Sequence, residues 1–394
     1  LDDQPGKWRR LRPAARADLT DAQREAIAAL EAIGYADGTR DVTADRVITV
    51  HDRERAWQGW NLYNSGHQPE AYLMDMDGAV LHTWRKTFRE VFPDSKVRAG
   101  TPGTHHWRRV TLLEGGDLLA IWEGWALVRL SPTSGVVFGV ENRAHHEAVG
   151  LPDGRIAVLA RRAELLPALD AQRPVLQDFI EVRAGDGALE RRVSLLEALL
   201  AGGHRELVVG RRDGDGDLTH TNSLSLLDGR FVHLRPEATA GRFLVSMRNL
   251  DAIGIVDLDL GRFVWLHQGT FKAQHDAQLV EPGWITLFDN RGPGGARSRA
   301  MALDAATLQE VWQYGGRDTQ PLWSATLGTT QRLPNGNVLA TESDGGRAVE
   351  VTPGGEVVWE MYNPHRAGER GEFIAALFDV RRLPLDLDRS WVSP

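Results

Sequence analysis

From about residue 46 the chain breaks into short apolar runs separated by Gly, Asp and Pro-Asn-Gly turns, and the runs repeat. The segments HHWRRVTLLEGGDLLAIWE (105–123), HHEAVGLPDGRIAVLAR (145–161), HTNSLSLLDGRFVHL (220–234), QHDAQLVEPGWITLF (274–288) and WSATLGTTQRLPNGNVLATE (323–342) share one plan. Each opens on polar or histidine residues, runs through an apolar strand, turns around Gly115, Gly154, Gly229, Gly283 or Gly336, and ends in a second apolar strand. That is the pattern of a β-hairpin. Further strand–turn–strand units follow at 128–140, 254–269, 301–316 and 349–363, several ending in Trp. Two hairpins make a four-stranded blade. Starts at 105, 145, 220, 274, 323 and about 373 predict an all-β, six-bladed β-propeller.

The two ends of the repeat complement each other. The last segment, 373–392, reads as an inner hairpin without an outer one, and an unmatched outer hairpin, 71–84, lies near the start. Pairing them joins the chain ends in one blade and removes an exposed edge. The expected organisation is therefore a propeller over 46–394, closed by 71–84 with 373–392, and a helical N-terminal extension over 1–45. Within that extension LTDAQREAIAALEAIGY has Asp21 at a helix start and Ala26, Ala29, Leu30 and Ile33 at helical spacing. RRVSLLEALLAGGHRELV (191–208) predicts a helical insertion in the blade that begins at 145.

Composition narrows the function classes. A formal net charge of -8 argues against a nucleic-acid partner, which calls for a basic face. With no cysteine, disulfides, thiolate metal sites and cysteine nucleophiles are excluded together. No apolar run approaches the ~18 residues of a membrane-spanning helix. The chain opens on Leu1 rather than Met, which leaves room for a removed export signal or membrane tether.

In a propeller the innermost strands line a central channel, so the residues that open them converge at one mouth. Here those openings carry His106, His146, His220 and His275. The doublets His105/His106 and His145/His146 leave the choice within each pair open. Imidazole serves as nucleophile, general acid or base, or metal ligand. A metal site is the main rival, with Glu147 and Asp276 the nearby carboxylates. Asn222 lies two residues after His220, on the same face of an ideal strand. Arg248 falls in the next hairpin, and a guanidinium suits a tetrahedral oxyanion. Trp122 and Trp125 are candidates to stack on an aromatic substrate, or else pack between blades.

The phrases GWNLYNSGHQPEAYLMDMDGAVLHTW (59–84), HHEAVGLPDGRIAVL (145–159), HTNSLSLLDG (220–229), SMRNLDAIGIVD (246–257), QHDAQLV (274–280) and the stretch 329–366 resemble, in order, the bacterial PAPS-independent arylsulfotransferases. The resemblance implies a six-bladed propeller that moves a sulfuryl group from an aryl sulfate to a phenolic acceptor through a sulfated histidine. By motif it implies His275 as nucleophile, supported by His220, Arg248 and His146, with Asn222 in the substrate set; His145, His106, Trp122 and Trp125 are further binding candidates. It implies no metal, no cofactor, and an extracytoplasmic location. The best-known branch carries extra N-terminal β structure and a disulfide near the nucleophile. This cysteine-free chain with its short N-terminal region departs from both and resembles a divergent branch. The competing expectations are a metal-dependent hydrolase or lactonase, a quinone-dependent dehydrogenase, and a binding propeller without catalysis.

Overall fold

The computed structural model describes residues 6–10, 47–98, 100–209, 216–292, 294–295, 297–368 and 371–392. The helix expected around 21–33 lies outside the described residues. The described part of the N-terminal region is not helical: Trp8–Arg10 is a strand paired with Phe373–Ala375, which pairs in turn with Arg366–Ala367.

The chain is all-β, built of successive antiparallel sheets. Among the described residues there are five sheets of four strands, one of five, and the small three-stranded sheet just named. Sheet 1 has the order Leu377–Pro384, Gly59–Ser65, Glu70–Met74, Val80–Arg85. Sheet 2 runs from Arg109–Leu112 to Val136–Val140, sheet 3 from Ala144–Gly150 to Leu189–Ser194, and sheet 4 from Thr221–Leu226 to Arg262–Gln268. Sheet 5 runs from His275–Val280 to Glu310–Gly315. Sheet 6 runs from Thr329–Arg332 to Val357–Tyr362 and gains Ile48–His51 on its outer edge.

Alternating apolar strands explain why the sheets stack. One buried apolar cluster lies between each consecutive pair of sheets, and another joins sheet 6 to sheet 1. Between sheets 1 and 2, Trp84 and Trp122 are fully buried with Leu73, Val110 and Leu118. Each such side chain contributes about 1.5–3 kcal/mol by leaving water. The first strands of all six sheets line one cavity of about 390 Å³.

Three segments differ from the expected layout. The 373–392 segment supplies one strand of sheet 1, Leu377–Pro384, instead of a hairpin. Its partner is Gly59–Ser65, so 71–84 shares the sheet without touching it directly. Pro384 has no N–H to carry the ladder further, and Phe373–Ala375 is taken by the small sheet. In sheet 3, the hairpin Ile156–Leu166/Asp170–Arg183 reaches well beyond the expected strand. The insertion 191–208 begins as strand, and its helices are Leu195–Ala201, capped by Ser194, and Arg205–Val209.

Candidate functional site

The first strands of sheets 3, 4 and 5 share a device at their openings. Register breaks between Ala144 and Ala148, Thr221 and Ser223, and His275 and Gln278. At the same places His146 (φ 54°), His220 (φ 46°) and Asp276 (φ 58°) take left-handed backbone. A bulge turns one side chain out of the alternation. The result is that both members of His145/His146 and of His275/Asp276 are buried. The imidazoles gather at the strand starts, while Glu147 and Asp276 line the cavity inside.

His146, His220 and His275 come together, with ring centroids 5.2 Å apart for His146–His220 and 6.4 Å for His146–His275. Each has its Nδ1 engaged. His275 Nδ1 donates to Asn290 Oδ1 at 2.7 Å, with Ala273 O at 3.2 Å. Both neighbours are acceptors, so the proton sits on Nδ1 and the Nε2 lone pair is free. The Asn290 amide is itself oriented, donating to Ser324 O (2.9 Å) and Leu327 O (2.7 Å). His220 Nδ1 lies 2.5 Å from Asp217 Oδ2. His146 Nδ1 lies 2.9 Å from His145 Nδ1, and His145 Nε2 is 3.3 Å from the buried Asp178. Asp178 is held by Thr219, the Thr221 amide and Arg161.

Burial holds His146 and His275 well below the usual imidazole pKa, and the Arg108 guanidinium adds to the effect at both. Burial brings His145 down to about 4. At neutral pH these three rings are uncharged. A neutral, oriented imidazole with a free Nε2 is competent as a nucleophile. His220 beside Asp217 has the arrangement in which a carboxylate orients an imidazole and stabilises its charged form during proton transfer.

Arg248 sits on a short turn after the second strand of sheet 4 and is half-buried. Its Nη1 donates to Asn249 Oδ1 at 2.9 Å, and Asn249 Nδ2 donates to Asp217 O, so Arg248 and the His220–Asp217 pair are braced together. Burial and the nearby Arg291 lower its pKa.

Other expected residues are placed differently. Asn222 Nδ2 donates to Gln274 O at 2.8 Å, tying sheet 4 to the residue before the candidate nucleophile. The register break at Thr221/Ser223 is why it does not simply share a face with His220. His106 stacks on Phe378 (5.0 Å) beside Lys7 instead of joining the ring contacts of the other three histidines, and burial with Lys7 lowers its pKa to about 4. His105 is half-buried and joins none of these contacts. Trp122 is corrected from a binding residue to packing. It is fully buried and meets Phe88 at 5.4 Å and Trp107 at 6.0 Å, edge to face. Trp125 donates its Nε1 to Pro102 O and packs on the same cluster.

Residues that the sequence reading did not single out complete the site: Asn290, Asp217, Asp178 and Arg108. Asp217 carried a weak signal, three residues before His220. Asn290 reads as an ordinary turn residue after a strand, and nothing local marks it.

Glu147 and Asp276, the carboxylates the sequence offers to a metal, are engaged elsewhere. Arg109 pairs with Glu147, Asp379 and Asp276, and Arg381 donates to Asp276 (2.8 Å) and Asp379 (2.9 Å). Among the described residues no group of three or more His, Asp or Glu has the geometry to hold a metal ion.

Among solved structures the chain is similar to a protein of unknown function from Bacteroides caccae, with TM-score 0.52, 10% identity, and coverage of 82% of this chain and 98% of that one. Weaker likenesses include a streptogramin B lyase (TM-score 0.45, 10% identity, 87% and 96% covered). Another is virginiamycin B lyase from Staphylococcus aureus (TM-score 0.44, 8% identity, 80% and 87% covered). No curated protein matches. The sequence profile described as Arylsulfotransferase (ASST) matches residues 109–364, which span sheets 2 to 6 and every histidine of the cluster. The chain belongs to the arylsulfotransferase family, and its activity class is that of a sulfotransferase.

Proposed function

We propose that this protein transfers a sulfuryl group from an aryl sulfate ester to a phenolic acceptor through an N-sulfohistidine at His275, without PAPS, metal or cofactor. We also read its six sheets as blades of one closed propeller whose mouth holds the site. The observation that carries the reaction is the His275 ring, its Nδ1–H committed to Asn290 and its Nε2 free.

The Nε2 lone pair attacks sulfur and the S–O bond to the aryl group breaks, its electron pair leaving on the phenolate. The His220 imidazolium, stabilised by Asp217, gives that phenolate its proton and becomes neutral. The first phenol departs. An acceptor phenol then attacks sulfur, loses its proton to neutral His220, and the S–N bond breaks to restore His275. Arg248 faces the non-bridging oxygens, whose charge is dispersed in a loose transition state much like that of phosphoryl transfer. The family's location outside the cytoplasm is part of the same proposal.

Mass spectrometry of protein mixed with p-nitrophenyl sulfate alone tests the reading. The expected result is a gain of one SO3 group on the peptide holding His275, release of p-nitrophenol before any acceptor is added, and loss of both in His275→Ala. Full turnover in His275→Ala with no adduct would overturn it.

A further inference from the structure

Arg108 lies next to the Arg109 that organises the cavity, but it is placed differently. Its side chain is 6% exposed, and its Nε is buried without a hydrogen-bond partner. The nearest carboxylate, Glu123, is 3.6 Å away, beyond hydrogen-bond distance, and Glu123 is itself 40% exposed. Glu123 also approaches His146 Nδ1 at 3.5 Å, so only one carboxylate separates Arg108 from the imidazole cluster. The guanidinium sits 5.6 Å over the Phe378 ring, and Lys7 from the N-terminal segment sits 5.8 Å over the same ring. A buried guanidinium with an orphan donor is costly unless a ligand completes it. Arg109 next door is the contrast, a structural arginine with three carboxylates around it.

We infer that Arg108 is a second sulfate-binding cation of the site, holding the transferring sulfuryl oxygens opposite Arg248, with Lys7 as the outer cation that draws anionic esters toward it. This rests on the proposed sulfuryl transfer and adds the residue just before the first strand of sheet 2, a sheet that contributes none of the three clustered imidazoles. Geometry and electrostatics agree. Among charged neighbours Arg108 has the largest effect on both His146 and His275; the others are His145, His220 and Arg161 at His146, and His220 and Arg248 at His275. Arg108 is the guanidinium whose charge acts on both rings.

Titration of p-nitrophenyl sulfate and of inorganic sulfate into His275→Ala and into His275→Ala/Arg108→Gln, followed by calorimetry, is the direct test. The expected result is a loss of affinity of about tenfold or more for both probes, in the range for one charge-assisted hydrogen bond. Lys7→Met should weaken binding by a smaller factor. In the active background, the acid limb of the phenol burst should move to higher pH in Arg108→Gln, because a lost cation no longer opposes protonation of His146 and His275. Arg108→Lys should keep the limb in place while binding weakens. Melting curves and circular dichroism establish that each variant folds. Equal affinity for both probes and an unmoved acid limb in folded Arg108→Gln would overturn the inference. Loss of sulfate binding in Arg108→Gln, in a protein whose wild type forms no adduct and releases no phenol, would sustain the anion site and sink the histidine chemistry instead.

Discussion

Asn290 is the residue that decides what kind of nucleophile His275 can be. Attack through Nε2 leaves the ring cationic, with the Nδ1 proton still in place, and that charge keeps the N–S bond labile. An amide oxygen supports the proton without removing it. A carboxylate at the same place would draw the proton away and leave a neutral, more stable sulfamate-like adduct. Asn290→Asp should therefore form the SO3 adduct and release it slowly, seen as a normal first burst followed by depressed turnover and accumulated sulfo-enzyme. Asn290→Ala removes the anchor altogether and should lower the burst rate about 5- to 150-fold, from a lost buried hydrogen bond of about 1–3 kcal/mol. A variant whose burst and turnover both match the wild type would show that Nδ1 needs no partner. None of this is legible in the sequence. His275, His220, His146 and Arg248 stand out by motif and by position at strand starts. Asn290 becomes visible only when the end of one strand is folded back beside the start of another.

At the scale of a strand, the bulges explain both the success and the failure of the sequence reading. Strand starts could be counted from the turns, and three of their four histidines, His146, His220 and His275, come together while His106 does not. The choice between His145 and His146 could not be made, because period-two alternation is broken where it matters. Both rings are in use, one as the partner of the other. The same bulges send Glu147 and Asp276 into the cavity, where they join Asp379 around Arg109 and Arg381. Burial pushes Glu147 up to about 6, against the pull of Arg109. A folded-state pKa above the unfolded value means that the folded chain binds the extra proton. This group's stabilising contribution is therefore complete below about pH 4.3 and is lost as pH rises through about 6. Denaturant midpoints measured between pH 4.5 and 7 should show a decline that flattens in Glu147→Gln. An identical slope in the variant would place the titration elsewhere.

For the whole molecule, the arrangement that matters is that residues from the two ends of the repeat share sheet 1. The outer hairpin 71–84 was readable from turn chemistry, although the 373–392 segment supplies one strand of the sheet where an inner hairpin was expected. The exact partner strand was not readable, since Gly59–Ser65 is a run of mixed polarity, burying Asn61 and Asn64 beside Leu62 and Tyr63. Those polar residues are buried because they serve as connectors. Arg382, 1% exposed on the C-terminal strand, donates to Asn61 Oδ1 (2.6 Å), to Trp57 O, and to Glu350 Oε2 (2.9 Å) in sheet 6, and its guanidinium covers Trp359 at 4.6 Å. One side chain thus joins the last strand to its N-terminal neighbour and to the sheet before it. Glu350 also accepts from the Trp57 amide (2.7 Å) and Asn337 (2.7 Å), so it is satisfied as an anion only while Arg382 is present. Truncating one member of a buried ion pair strands the other charge, at a cost of about 3–5 kcal/mol. Arg382→Ala should lose about that much stability, a large share of the 5–15 kcal/mol typical of a folded domain. Because the loss comes chiefly from the stranded carboxylate, the double variant Arg382→Met/Glu350→Gln should recover most of it. Glutamine can keep both hydrogen bonds at Oε1, and methionine can fill the space over Trp359. Chemical denaturation of the wild type, Arg382→Met, Glu350→Gln and the double variant closes the cycle. A double variant no more stable than Arg382→Ala would mean that the guanidinium's links to Asn61 and Trp57, and not its charge, hold the two ends together.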